Sequence, residues 1–227
     1  MDREGVIGIF SGIADPPEHC YTKEEERLLD AQAAEHFGRS ARLLREPYPR
    51  GIRADIRVIA PAPGRNFQTL MTRGMGAFVM DIPDELIDCE LERAELMLCL
   101  PAGWKAGRAG ESWRWPVEWL RALAHMPAES GAWLGWGHVI PAGEPLGRGA
   151  GFTGLLLTDP IAFSEEASFC EMPDGTVVNI YQAIPLYDGE IAYRQAQGTD
   201  ALLALFEQRL GRDALAVIDT KRRPCAP

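Results

Sequence analysis

Lysine is scarce in this chain, and acidic residues clearly outnumber basic ones. Only Lys23, Lys105 and Lys221 are lysines, so the basic residues are nearly all arginine. The 227 residues carry 23 basic and 33 acidic side chains, which gives a formal net charge of −10 at pH 7. General nucleic-acid binding and docking on anionic membranes both need a basic surface, so we predict neither partner. An acidic surface suits a basic protein partner, although the same charge also simply favours solubility.

Patterns typical of metal sites, disulfide frameworks and membrane spans are also missing. The five cysteines are odd in number and show no metal-ligand spacing, and the four histidines include no H-E-x-x-H motif. No stretch approaches the roughly 18–20 apolar residues of a membrane span, and acidic residues interrupt the apolar start of the chain. We therefore expect a cytoplasmic protein with reduced thiols and no metal or other cofactor.

A glycine pattern at residues 149–154 matches the dinucleotide motif G-x-G-x-x-G. That motif works only where a strand precedes it and a helix follows, because the helix N-terminus meets the pyrophosphate. Here a loop rich in proline and glycine precedes the motif, and three leucines typical of a strand follow it. We interpret the glycines as a loop and predict no nucleotide binding.

Alternation of apolar and polar residues predicts a sheet, and capping signals predict the helices around it. One helix begins after Thr22, with Glu25 completing a capping box, and ends at Gly38. A second helix spans 115–126, with Pro116 in its first turn and Pro127 as its terminator. Further helical segments are expected at 187–197 and 200–210. The predicted strands are residues 52–59, 67–72, 91–100, 135–140, 152–158 and 176–184.

The mixture of strands and helices has no regular βαβ rhythm, which favours an α+β fold. We predict a central mixed, mostly antiparallel sheet flanked by helices. Residues 1–227 are expected to form one domain, with 1–21 as an N-terminal extension and 220–227 as a flexible tail that frays. Residues 6–10 form either a short strand or an irregular segment. In the strand at 91–100, even-numbered residues from Ala94 to Leu100 face one side and odd-numbered residues from Arg93 to Cys99 face the other.

The candidate binding residues lie among the tryptophans and in a glycine-rich strand. Most of the six tryptophans are expected in the core, but loop neighbours leave Trp113 and Trp136 accessible for a protein partner. Gly137 and His138 lie in the strand predicted at 135–140, where glycine leaves the backbone open to an added partner strand. The alternative interpretation pairs this segment on both sides and satisfies His138 within its own sheet.

Nine sequence blocks follow one another in order: residues 36–38, 55–56, 69–75, 93–97, 100–101, 115–116, 137–140, 155–160 and 181–187. Together these ordered blocks resemble the suppressor-of-fused family. The resemblance implies a non-catalytic protein-binding module that masks a partner; the animal member binds Gli-type transcription factors and holds them in the cytoplasm. It further implies a short, bacterial-type stand-alone member, for which an immunity role against a toxin domain is suggested.

Two other functions remain open at the level of sequence. One is a small-molecule hydrolase or transferase that uses Cys99 or His138 as a reactive group. Such an enzyme needs a thiol and an imidazole in contact within a closed pocket. The other is a structural subunit of a larger complex.

Overall fold

An open sheet of eight strands forms the centre of the fold in the computed structural model, which describes residues 18–107, 110–211 and 215–226. The strands are β1 (Ser40–Leu44), β2 (Asp55–Ile59), β3 (Phe67–Arg73), β4 (Ala94–Pro101), β5 (Val139–Pro141), β6 (Gly154–Thr158), β7 (Phe169–Glu171) and β8 (Val177–Leu186). Their order is β1-β2-β3-β4-β8-β6-β5, and β7 pairs with β8. The β4–β8 pair is parallel, while the other pairs are antiparallel.

Helices cover both faces of this sheet. The α-helices are α1 (Lys23–Gln32), α2 (Glu111–Ser130), α3 (Asp188–Gln197) and α4 (Thr199–Leu210). Short 3₁₀ turns occur at Met75–Ala77, Asp84–Cys89 and Glu165–Ser168. The predicted α+β fold with a mixed, mostly antiparallel sheet is thus confirmed. The segment considered as a strand at 6–10, together with most of the predicted N-terminal extension, lies outside the described residues.

The alternation in β4 determines which helix packs on which face. Leu96, Leu98 and Leu100 lie in the cluster that contains the apolar side of α2. Met97 and Cys99 lie in a second cluster on the opposite face, beside the end of the first helix. Both sets are fully buried, as the period of two in a strand covered on both faces requires. The two faces predicted for this strand are confirmed.

The first helix follows its capping signals closely. The Glu25 amide donates to the Thr22 hydroxyl, and the Thr22 amide donates to the Glu25 carboxylate, which is the predicted capping box. After Gln32 the helix widens into a π-turn, Ala33–Phe37. Gly38 ends it with φ +101°, a conformation in which glycine avoids the steric cost of a side chain.

Helix α2 is longer than its prolines predict. It begins at Glu111, before Trp115, and continues past Pro127 to Ser130, so both predicted boundaries are wrong. A proline inside a helix removes one backbone donor and crowds the carbonyl four residues earlier, but packing can offset this cost. At the C-terminus the Pro127 carbonyl accepts from the amide of Gly131, which has φ +68°. Pro127 therefore contributes an acceptor to the closing turn of the helix.

The glycine-rich segment at 135–140 is mostly a turn. Only Val139–Pro141 forms a strand, and residues 136–137 form a turn that leads into it. The His138 amide donates to the Gly135 carbonyl at 3.2 Å, which closes this turn. Gly137 has φ +79°, which lies outside the range of an extended strand. The prediction of a strand over the whole segment is therefore wrong.

The C-terminal tail packs against the molecule, whereas the sequence favours fraying. The guanidinium of Arg222 donates to both oxygens of Glu190, whose side chain is fully buried. The Cys225 amide donates to the same carboxylate, and Ile218 donates its amide to the Cys99 carbonyl. A buried carboxylate needs such partners, and these contacts fix residues 215–226 against α3 and β4.

One ion pair between α2 and the connection from β1 to β2 predicts a pH dependence of stability. His125 Nε2 lies 2.8 Å from Glu46 Oε1, and both side chains are largely buried. The hydrogen bond to Glu46 raises the pKa of His125 above its usual value, because it favours the charged imidazole. Burial is the largest single influence on Glu46 and opposes its ionisation, but the hydrogen bonds from His125 and the Ala54 amide, together with the charges of His125 and Arg121, outweigh it and lower the pKa of Glu46.

We expect His125→Gln to lose stability relative to wild type at pH 6 but much less at pH 9. A raised folded-state pKa contributes stability below the ordinary histidine value, and that contribution disappears as pH rises through the raised value. The free energy of unfolding of His125→Gln is expected to be lower than that of wild type at pH 6 by up to about 1 kcal/mol, the upper end for ion pairs partly screened by water. Urea unfolding of both proteins across this range measures it. Parallel curves with a constant offset would show that the pair does not titrate as described.

Candidate partner-binding site

The turn before β5 brings Trp136, Gly137 and His138 together at one edge of the sheet. The Gly137 amide donates to the Leu157 carbonyl of β6 at 2.8 Å. Its carbonyl accepts from Arg194 of α3 at 2.6 Å, and the Thr199 hydroxyl lies 3.4 Å away. The turn is therefore held between β6 and the helices α3 and α4.

The edge of β5 is only partly open. Strand β5 pairs with β6 on one side, and the sheet ends there within the described residues. Arg194 already occupies the carbonyl of Gly137, and Pro141 has no amide hydrogen to donate. The segment is therefore neither fully open to a partner strand nor paired on both sides. A partner strand could form main-chain hydrogen bonds along only a short stretch of this edge.

His138 is held by its surroundings and is neutral near pH 7. Its ring packs edge-on against Trp133 with 4.2 Å between ring centroids, and Nδ1 lies 3.2 Å from the Trp133 carbonyl. Burial lowers the pKa of His138, and the positive charge of Arg194 lowers it further. A half-buried, neutral imidazole with these contacts positions the turn and leaves Trp136 as its exposed side chain.

Beside this turn lies a cleft of about 370 Å³, which we call the acidic cleft. It runs between the end of β6 and helix α4, with the partly exposed ring of Trp136 on its rim. Carboxylates and apolar side chains both line the cleft, so it offers charged groups next to an apolar contact surface. The acidic cleft is lined by Trp136, Thr158, Asp159, Ile161, Asp200, Leu203, Ala204, Glu207 and Leu215.

Three carboxylates line the acidic cleft: Asp159, Asp200 and Glu207. Within the part of the chain that the structure describes, Asp159, Asp200 and Glu207 form no side-chain hydrogen bond or ion pair. Partial burial raises the pKa of Asp159, and the nearby charge of Glu165 raises it further. A cation bound in the cleft would relieve this repulsion, so the site favours positively charged groups.

Trp113, the other predicted contact residue, does not line this cleft. It lies near the start of α2, where its ring is half-buried and meets Trp104 edge-on with centroids 5.1 Å apart. The ammonium group of Lys105 lies 5.4 Å from its centroid, within the range of a cation–π contact. Of the four predicted residues only Trp136 lines the acidic cleft; Gly137 and His138 follow it in the turn beside the cleft, and Trp113 lies in a separate aromatic cluster.

Sequence reasoning missed the carboxylates that complete the site. Asp159 follows β6. Asp200 and Glu207 lie about forty residues further along the chain, two turns apart on the same face of α4. Isolated acidic residues on an amphipathic helix are usually solvated, so nothing in their spacing marks them. The one available signal is the Asp-Pro turn at 159–160, which places a carboxylate at a strand end.

The groups proposed for an enzyme alternative do not meet. Cys99 is fully buried in β4, where burial raises the pKa of its thiol to about 12. His138 lies beside β5, and strands β8 and β6 lie between β5 and β4. Neighbouring strands are about 4.8 Å apart, which puts the two groups on the order of 14 Å apart across the sheet. This geometry provides no thiol–imidazole pair.

The glycine loop at 149–154 also differs from a dinucleotide site. Gly154 begins β6, so a strand follows the motif where a helix N-terminus would be needed, as the sequence predicts. A Cβ atom on Gly151 would lie 2.8 Å from the ring of Tyr187, so close packing explains this glycine. Across the described ranges no three potential ligands cluster in a way that could hold a metal ion. No helix in those ranges is long and apolar enough to cross a membrane.

Sheet and cleft together define an α+β protein with a surface cleft at one edge of an open mixed sheet. The chain belongs to the suppressor of fused protein (SUFU) family, whose model matches residues 51–223. The family predicted from the ordered sequence blocks is thus confirmed. An uncharacterised protein of Ureaplasma parvum, UU111, is 25% identical over 206 residues, covering 89% of this chain and 96% of its own length.

Solved structures share the fold at low sequence identity. A putative SUFU homologue from Neisseria gonorrhoeae has a TM-score of 0.61 at 15% identity, covering 88% of this chain and 93% of its own. Drosophila Suppressor of Fused has a TM-score of 0.54 at 15% identity, and the match covers 75% of this chain but 42% of the Drosophila chain. A chain of the Sufu–Fu complex has a TM-score of 0.53 at 16% identity, covering 75% of this chain and 77% of its own.

Proposed function

We propose that this protein is a non-catalytic protein-binding module that masks a partner protein in the cytoplasm, without any cofactor. The observation that carries the proposal is the acidic cleft, where an exposed tryptophan borders three carboxylates that the described residues leave unpaired. Membership of the suppressor of fused family supports it, because one solved relative is part of a Sufu–Fu complex. The partner is proposed to be a protein with a basic contact surface.

The chemistry of the acidic cleft favours an arginine or lysine side chain of the partner. Trp136 can stack on a guanidinium or on an aliphatic stem, because its ring is 42% exposed. Asp200 lies in the first turn of α4 and faces the same cleft as Asp159, so a cation between them meets two carboxylates. Leu203 and Leu215 provide apolar wall surface that excludes water from such a pair.

Masking needs only occupancy, so no reacting group is required in the cleft. The formal charge of −10 on this protein speeds its encounter with a basic partner and disfavours the approach of acidic proteins that carry the same charge. A narrower form of the proposal makes the partner a basic toxin domain whose active site is covered, which is an immunity function. Co-expression with a candidate toxin tests that form: cleft variants would lose protection in a growth assay while remaining folded.

We expect the triple variant Trp136→Ala/Asp200→Asn/Glu207→Gln to capture its partner at least about tenfold less than wild type. The variant removes the tryptophan at the rim of the cleft and two of the three carboxylates. A tenfold loss corresponds to about 1.4 kcal/mol of binding free energy, and one aromatic hot-spot residue alone often contributes more than that. Affinity capture with quantitative mass spectrometry measures the loss for each captured protein.

A matched control is Phe169→Ala/Glu24→Gln/Glu171→Gln, which removes one partly exposed aromatic and two charges outside the cleft. It is expected to capture the partner like wild type. Equal capture by wild type and the cleft variant, with both folded by circular dichroism, would reject the acidic cleft as the binding site.

A further inference from the structure

The opposite edge of the sheet is also open. Strand β1 pairs with β2 on one side and is the last strand on the other, within the ranges the structure describes. Ser40, Ala41 and Arg42 are exposed, so the outer side of the strand faces solvent. In an antiparallel pair only alternate residues direct their amide and carbonyl groups at the partner strand. Apart from the Leu44 carbonyl, which accepts from Arg121, the remaining groups of β1 are therefore available to an added strand.

A groove of about 610 Å³ lies along this edge, between β1 and the first half of α2; we call it the β1 groove. Leu43, Leu44 and Val117 provide apolar surface in it. The loop after β4 closes one end, where Gly107 packs against Leu44 so tightly that a Cβ atom would lie 2.9 Å from the leucine side chain. The groove therefore has a defined shape next to an unpaired strand edge.

The β1 groove is basic on a protein that is otherwise acidic. Arg45 and Arg114 line it with side chains that are 71% and 52% exposed, and Arg45 makes only a long contact of 3.5 Å with the buried carboxylate of Asp55. Arg121 also lines it and donates to the carbonyls of Leu44, Arg45 and Ala54, while its charge interacts with that of Glu46 without a direct hydrogen bond between them. Among the described residues of the lining, Glu118 is the single acidic one, and it is already paired with Arg114 at 2.7 Å.

An exposed aromatic side chain adds a second feature of binding surfaces. Tyr48 is 78% exposed and follows Pro47, which lines the groove. Tyrosine and arginine are the residue types that dominate interaction hot spots, since each combines a large contact area with polar groups. The family model matches from residue 51, so β1, Arg45 and Tyr48 lie before the matched range.

We propose that the β1 groove binds an extended acidic segment of a partner protein, which adds to the outer edge of β1 as a further strand. Main-chain hydrogen bonds to β1 give affinity, and carboxylates of the segment pair with Arg45 and Arg114. A second copy of this chain fits poorly, because pairing two β1 strands about a two-fold axis brings the same arginines together. This surface lies at the opposite edge of the sheet from the acidic cleft and binds a partner of opposite charge.

The probe for this proposal is a fluorescent peptide of about seven residues that alternates glutamate and valine, the usual length of a strand. We expect its fluorescence anisotropy to rise on addition of the protein at about 50 mM NaCl, and the affinity to fall severalfold at about 500 mM. Arg45→Glu/Arg114→Glu is expected to bind at least about tenfold more weakly, a change of about 1.4 kcal/mol. Arg27→Glu/Arg223→Glu makes the same charge change at exposed positions elsewhere and is expected to bind like wild type.

Three further peptides separate charge from strand addition. The same peptide with lysine in place of glutamate is expected not to bind. Of two N-methylated forms, one methylated at the valines and one at the glutamates, the form that blocks the amides facing β1 is expected to lose most affinity. Absence of binding by the acidic peptide at about 1 mM would overturn the proposal. Equal binding by Arg45→Glu/Arg114→Glu, or full binding by both N-methylated peptides, would also overturn it. A dimer in sedimentation experiments that these two substitutions abolish would assign the groove to a second copy instead.

Discussion

Trp115→Ala is expected to lower the free energy of unfolding by about 3–5 kcal/mol, the usual cost of truncating a large buried aromatic side chain. The ring is 3% exposed and lies between α2 and the residues before β6, where a Cβ atom on Gly147 would come within 2.4 Å of it. It also meets Trp104 edge-on with centroids 6.0 Å apart. Alanine would therefore leave a cavity that the surrounding glycine and helix cannot fill.

Trp136→Ala is the matched control, because it removes the same side chain from a position that is 42% exposed. We expect it to cost less than about 1.5 kcal/mol, since less apolar surface is lost from the folded state. Urea unfolding measures both variants, and a single cooperative transition is expected because we predict one domain. A loss below about 1 kcal/mol for Trp115→Ala would contradict the core position that the structure gives this ring.

Glu190→Gln is expected to destabilise the protein by about 3–5 kcal/mol, because it leaves a largely buried guanidinium without its counter-charge. Glu190 is fully buried and accepts from Arg222 at 2.5 and 2.7 Å, as well as from the amides of Tyr187 and Cys225. Arg222 lies within 5.3 Å of three aromatic ring centroids, which leave its guanidinium only slightly exposed. Loss of the Glu190 charge therefore weakens the anchoring of residues 222–225.

The control for this variant is Glu118→Gln, whose carboxylate is 54% exposed and pairs with Arg114 along α2. Exposed pairs at this spacing contribute about 0.3–0.5 kcal/mol. Hydrogen exchange adds a second readout: Glu190→Gln is expected to speed exchange at residues 215–226, whereas Glu118→Gln leaves them unchanged. Similar stability of the two variants would show that the tail is not anchored by Glu190.

The inner strands of the central sheet could be predicted because their signals are local, whereas the short strands β1 and β7 are not predicted by the sequence. The alternation in β2 and in β4 already separates the two faces that α2 and the first helix cover. The capping box at Thr22 and Glu25 determines the start of α1 through contacts between residues three apart. Such patterns act over a few residues, and tertiary packing agrees with them here.

The boundaries of α2, the course of the tail and the composition of the site depend on contacts between distant residues. Pro127 usually stops a helix, yet packing and the closing bond from Gly131 let α2 continue. The sequence of residues 220–226 predicts a polar, fraying tail. Nothing in these residues indicates that the buried carboxylate of Glu190 accepts hydrogen bonds from Arg222. The acidic cleft joins Trp136 to Asp159 and to α4, and no periodicity links residues so far apart.

Hydrogen exchange with and without a captured partner tests the central claim most directly. The relevant amides are those of residues 135–140 and of the first turn of α4, where helix amides lack intrahelical acceptors. We predict that binding slows exchange at both places, because Trp136 and Asp200 line the same cleft. Unchanged exchange at both in a saturated complex would contradict the account, as would full protection of residues 135–140 already in the free protein.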